Sequence, residues 1–143
     1  MTISTEDTAG TLHDKMMLIG SELVLETVKL IENGKAQSKE QSKFIVDEIK
    51  TAPKLNRANT TISINFSPNQ ARNFIRGLNP FPAAHTEIYN SNGIGFSAKI
   101  FSAESYDVPH SFAIGKIETD NKNYLRIYLK GGRSEERRVG KEC

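Results

Sequence analysis

The chain has 143 residues, 19 Lys/Arg against 17 Asp/Glu and a formal net charge of +2, enough for one ordinary domain or parts of two but not a large multidomain enzyme. Apolar residues, with glycine counted and tyrosine set aside, make up about 41%, a little under the ~45–50% usual for globular domains, so a core diluted by a polar stretch is expected. Glu22, Glu26 and Lys29 break the most apolar run, which excludes a membrane span; Glu6 and Asp7 precede any apolar stretch, which excludes a secretory leader; and Cys143 is the only cysteine, which excludes internal disulfides and points to a reducing, cytoplasmic setting.

Residues 1–53 are acidic, with 6 Lys/Arg and 9 Asp/Glu. Thr8 or Thr11 can cap a turn that buries Leu12, Met16 and Ile19, spaced as one helical face. Gly20 interrupts, and Ser21-Glu22 offers a fresh start for a second helix with Val24, Val28 and Ile31 on one face. Asn33-Gly34 ends it. Two such helices cannot enclose a core, so their apolar faces need a partner. Residues 35–53 are mostly polar and read as a linker with a short helical or extended patch at Phe44-Ile45-Val46.

Residues 54–132 are basic, with 9 Lys/Arg and 5 Asp/Glu, a weak pointer to an anionic partner. Thr60–Ile64 alternates like a strand. Ser67-Pro68-Asn69-Gln70 predicts a helix start with a capping box and proline in the first turn, burying Ala71, Phe74, Ile75 and Leu78 before Asn79-Pro80-Phe81-Pro82 stops it. Strands are predicted at His85–Tyr89, at Ile94–Ile100 with Ile94, Phe96, Ala98 and Ile100 inward, at Phe112–Ile117 and at Tyr124–Leu129. In the last, Leu125, Ile127 and Leu129 share one face and Arg126 and Tyr128 the other. One amphipathic helix among short antiparallel strands suggests a small barrel.

Residues 133–143, RSEERRVGKEC, resemble in all eleven positions the one-frame translation of a widely used sequencing adapter. The segment is therefore set aside as a non-native tail.

No catalytic constellation stands out. His13-Asp14 are adjacent on a helix and do not face each other, His85 reads as a half-buried strand residue and His110 as a loop residue. No phosphate loop, nucleophile elbow or metal-ligand spacing occurs. Arg72 and Arg76, four apart, share a helix face and could meet successive phosphates or simply form a solvated face. Arg126 with an outward Tyr128 could pair a phosphate contact with a stacked base, or Tyr128 could equally be an ordinary exposed tyrosine.

The segments Gly10-Thr11-Leu12-His13-Asp14-Lys15-Met16, Ala52-Pro53-Lys54-Leu55 leading to Ile62, and Ile75-Arg76-Gly77-Leu78-Asn79-Pro80-Phe81-Pro82-Ala83 occur in that order. In this the chain resembles the C-terminal portion of methionyl-tRNA formyltransferases. The resemblance implies an α+β fragment: 1–34 as terminal helices of a Rossmann-like formyltransferase domain, 35–53 as the linker, and 54–132 as an incomplete OB-like barrel. It also implies formyl transfer from 10-formyltetrahydrofolate to initiator methionyl-tRNA by a monomer, with the family's catalytic Asn, His and Asp upstream of Met1. The fragment would then hold no catalytic, folate or metal residue and be inactive, while keeping a tRNA side at Lys54, Arg72, Arg76, Arg126 and Tyr128. Where the family often has Trp, this chain has Ile64 and His85. A free-standing OB-type RNA-binding module and a fragment of a small-molecule formyltransferase are the alternatives.

Overall fold

The computed structural model describes residues 1–45, 49, 51–120 and 122–137. These fall into two compact units, one made of residues 1–10 together with the chain from Leu55 onward, the other of Thr11–Lys54.

Helix α1 runs unbroken over Ala9–Glu32, which corrects the expected pair of helices. A glycine in a helix interior costs only about 1 kcal/mol, and Ser21 Oγ donates to the Leu18 carbonyl at 2.8 Å instead of capping a new start. The helix ends where Gly34 adopts φ 66° and the Lys35 N–H reaches the Leu30 carbonyl at 2.8 Å. α1 contains no buried residue; Leu23, Val24, Val28 and Ile31 are all exposed. The following stretch holds one 3₁₀ turn, Gln41–Phe44; Val46, the end of the anticipated patch, lies outside the described residues.

In the other unit, a four-residue helix α2 (Arg57–Thr60) replaces the first part of the strand expected over 60–64. Asn56 and Asn59 close a reciprocal capping box and Thr60 Oγ1 donates to the Asn56 carbonyl at 2.8 Å, local bonds that outcompete a ladder. Thr61 pairs only as an isolated parallel bridge with His85. Helix α3 (Pro68–Leu78) starts as its sequence dictates: Ser67 Oγ accepts from the Gln70 N–H at 3.2 Å while Gln70 Oε1 accepts from the Ser67 N–H at 2.8 Å. It buries Ala71, Ile75 and Leu78, with Phe74 half-buried against Phe66.

Strands β1 (Ala84–Tyr89) and β2 (Gly95–Ile100) form an antiparallel pair. A second antiparallel sheet has the order β3–β6–β5–β4, from β3 (Glu104–Tyr106), β4 (Ile117–Thr119), β5 (Tyr124–Leu129) and β6 (Gly132–Arg137). Among the described residues no ladder joins the two sheets, so the expected barrel is not closed. Phe112–Ala113 and the residues up to Lys116 are loop rather than strand, because Gly115 takes φ 84° and donates to the Tyr128 carbonyl at 2.7 Å. On β2 the inward alternation holds for Ile100, while Phe96 stays exposed, as does Ile94 just before the strand. The core lies under α3: Ile75, Leu78, Ala84 and Ile100, with Ile62, Phe74 and Ala103 against it.

β6 corrects the expectation that the chain beyond Gly132 stands outside the fold. Lys130-Gly131 turns the chain with Gly131 at φ 85°, and residues 132–137 pair with β5 from Leu129↔Gly132 to Tyr124↔Arg137. A ladder is made by backbone groups, so an almost arbitrary sequence can occupy it.

Candidate nucleic-acid interface

Helical spacing puts Arg72 and Arg76 on one face of α3, as expected, yet that face is not open to a phosphate backbone. Arg72 donates to Glu6 Oε1 at 2.7 Å. Arg76 Nη1 donates to the carbonyls of Ser4 at 3.1 Å and Asp7 at 2.9 Å, and its Nε donates to Asn73 Oδ1 at 2.9 Å. Both arginines border a polar pocket of about 180 Å³ shared with Glu6, Asn79 and Glu104.

Arg126 and Tyr128 share a face of β5, and cross-strand partners saturate it. Arg126 reaches Glu118 Oε2 at 2.8 Å and Glu135 Oε2 at 3.0 Å through its Nε, and Tyr128 donates to Glu118 Oε2 at 2.8 Å. Tyr128 is 5% exposed and packs edge-on to His110 and against Phe112, so the reading of an outward tyrosine free to stack a base is corrected. Sequence alternation assigned the face, but not the loop 110–114 that covers it. His110 serves the hairpin: its Nε2–H points to the carbonyls of Leu129 at 2.8 Å and Gly132 at 2.9 Å. Lys54 is exposed and falls in the Thr11–Lys54 unit.

Exposed cations in the second half sit elsewhere: Lys99 on β2, Lys116, Lys122 and Lys130. Lys116 lies over the half-exposed Phe112 ring at 3.9 Å. Lys122 rims an apolar groove of about 220 Å³ between β1–β2 and β4–β5, lined by Ile88, Phe96, Ile117, Tyr124 and Leu125. Sequence reasoning missed this groove, since its walls come from strands whose pairing no local pattern reveals. His13 Nδ1 does meet Asp14 Oδ1 at 3.3 Å, contrary to the helical-spacing expectation, but both are well exposed, where such pairs contribute little. Among the described residues no cluster of three His, Cys, Asp or Glu side chains forms a metal-type site, and no helix is long and apolar enough to cross a membrane.

Three carboxylates are held below their usual range. Tyr128 and then Arg126 lower Glu118; Arg57 and then Tyr89 lower Glu87; and the backbone N–H groups of Asn123, Lys122 and Tyr124 lower Asp120. A depressed folded-state value adds stability above the unfolded value, and that stability is lost as pH falls through the folded one. Thermal midpoints are therefore expected to stay level at neutral pH and to decline progressively below the ordinary glutamate value of 4.5. Asp120→Ala should shallow that decline, as measured by circular dichroism melts across the acid range.

Helix α3, the two antiparallel sheets and the charged network on β5 make up a small α+β domain. A family described as formyl transferase, C-terminal domain, matches residues 54–140, and the chain belongs to that family. That match runs into the segment that resembles adapter sequence. Among similar proteins are those named methionyl-tRNA formyltransferase from Parabacteroides distasonis, 37% identical over 132 residues, Bacteroides fragilis, 39% over 131 residues, and Flavobacterium johnsoniae, 38% over 130 residues. Each alignment covers 91% of this chain and 40–41% of the relative. The chain therefore spans about two fifths of the length of the curated relatives it matches.

Proposed function

We propose that this chain is the tRNA-side part of a methionyl-tRNA formyltransferase, an enzyme that moves a formyl group from 10-formyltetrahydrofolate to the amino group of initiator methionyl-tRNA. The family match over 54–140 carries the reading, and the relatives' shared name supports it. On this reading 1–34 hold the last helix of a Rossmann-like catalytic domain, and the exposed apolar face of α1 is the surface that domain would cover. Residues 35–53 are the linker, the two sheets are an open OB-like barrel, and 133–143 are not native. The whole enzyme is taken as a cytoplasmic monomer. The attacking amine is that of the methionyl-tRNA, and the proton-handling His and Asp and the Asn that polarises the formyl oxygen are assigned to the part outside these 143 residues. This chain therefore binds tRNA without turning it over.

The tRNA contacts are assigned to the exposed lysines Lys99, Lys116, Lys122 and Lys130, and not to Lys54, Arg72, Arg76 or Arg126, which already engage partners within the chain. The test is binding of initiator methionyl-tRNA at stepped salt, with formyl transfer from 10-formyltetrahydrofolate followed in parallel. No turnover is expected. Log affinity should fall linearly with log salt, and Lys116→Gln with Lys122→Gln should flatten the slope by about 0.7–0.9 for each lost phosphate contact. Turnover by this chain, or tRNA affinity too weak to measure at low salt, would refute the assignment.

A further inference from the structure

We infer that residues 4–10 and the C-terminal end of α3 form a built intramolecular dock, in which Arg76 is a positioning residue rather than a phosphate contact. The amino-terminal side is shaped before it meets the helix. Asp7 Oδ2 accepts from the Ser4 N–H at 2.7 Å, the Asp7 N–H reaches the Ser4 carbonyl at 3.3 Å, and Asp7 is 6% exposed. This turn aims the carbonyls of Ser4 and Asp7 at one nitrogen of Arg76, whose plane is set from the other side by Asn73. Arg72 adds an ion pair to Glu6 at 2.7 Å.

A second point of attachment needs no charge. The Gly10 N–H donates to the Asn79 carbonyl at 3.0 Å. A Cβ at Gly10 would sit 2.6 Å from Pro80 Cδ, so only glycine lets the segment approach the Asn79-Pro80 turn. Two stretches separated by more than sixty residues in sequence are thus joined by four side-chain and backbone contacts. Given the tRNA-side reading proposed above, on which the inference's functional sense rests, the dock makes residues 4–10 part of the tRNA-side unit rather than of the helical segment that follows them.

The chemistry separates docking from phosphate binding. A guanidinium is a planar fork whose orientation Asn73 fixes, whereas an ammonium keeps the charge but not the fork. Hydrogen–deuterium exchange on the 143-residue chain is measured for wild type, Arg76→Lys, Arg76→Ala and Gly10→Ala, with tRNA affinity measured alongside. In all three variants the amides of residues 4–10 should exchange at least about tenfold faster, while β5 amides keep wild-type protection and tRNA affinity stays within about twofold. If Arg76→Ala does not fold, the other two variants carry the test. Wild-type protection of residues 4–10 in Arg76→Lys or Gly10→Ala would overturn the dock. So would an affinity loss of about tenfold in Arg76→Ala that Arg76→Lys restores. Should wild type bind no tRNA, the tRNA-side reading fails while the exchange result still decides the dock.

Discussion

Replacing Gly132 by alanine should destabilise the sheet-bearing unit by about 3 kcal/mol or more, far beyond the effect of the same change one residue earlier. A Cβ at Gly132 would stand 2.1 Å from the Tyr106 carbonyl oxygen, 2.8 Å from Pro68 Cγ and 3.1 Å from Asp107 Cα. Two of those obstacles are backbone, and the third is a ring at the start of α3, so no rotamer change relieves the clash. β6 would have to withdraw from β3, giving up the Tyr106↔Arg133 pairing and the Gly132 carbonyl that accepts from His110 at 2.9 Å. Gly131 provides the contrast. Its φ of 85° disfavours a side chain, but nothing lies within 4 Å of the added carbon, so Gly131→Ala should cost about 1–2 kcal/mol. With no tryptophan in the chain, urea unfolding would be followed by far-ultraviolet circular dichroism and tyrosine emission. Equal losses for the two variants would refute the packing account.

The contrast also marks what a sequence makes legible. α3 could be read in full, because its start, face and stop are local: Ser67, Pro68 and Gln70 at one end, Asn79-Pro80 at the other, and the stripe between. β5 was equally plain from its period-two pattern. The two failures among the helices came from rules with small energies. Gly20 costs α1 only about 1 kcal/mol, too little to break it, and at 60–64 the Asn56–Asn59 capping box wins locally over the alternation.

At the site, spacing correctly put Arg72 with Arg76 and Arg126 with Tyr128. It could not say what opposes each pair, since Glu6 comes from the far end of the chain and Glu118 meets Arg126 only through the register of the β4–β5 pairing. Gly10 was visible only as part of a family-like string; its reason, the approach to Pro80, exists only in three dimensions. The number of strands alone suggests a barrel, yet the strands form two separate sheets. Closure depends on whether the β1–β2 pair hydrogen-bonds to the second sheet, and no single-strand pattern encodes that.

Replacing Ser134 with valine and Glu136 with isoleucine together should stabilise the chain by about 2–3 kcal/mol. Register decides it. β5 directs Leu125, Ile127 and Leu129 toward the core, and their partners on β6 are Glu136, Ser134 and Gly132. Those two polar side chains line the same cavity of about 20 Å³ as Ile62, Ile75 and Ile100. A strand matched to this sheet would place apolar residues at both positions, because directly opposed side chains on one face are the unit of sheet stability. The outward residues are better suited: Glu135, 3% exposed, lies against Arg126 and Arg133. Valine at 134 removes a hydroxyl from an apolar wall and fills part of the cavity. Isoleucine at 136 gives Leu125 an apolar partner, a gain that is set against the interaction Glu136 already makes. A gain in urea midpoint with an unchanged slope would show that β6 pairs well through its backbone while its side chains are poorly matched to the core, as a strand of foreign origin would be. A loss of stability in the double variant would mean that Ser134 and Glu136 belong where they are, and that the sequence beyond Gly132 is the natural complement of this sheet.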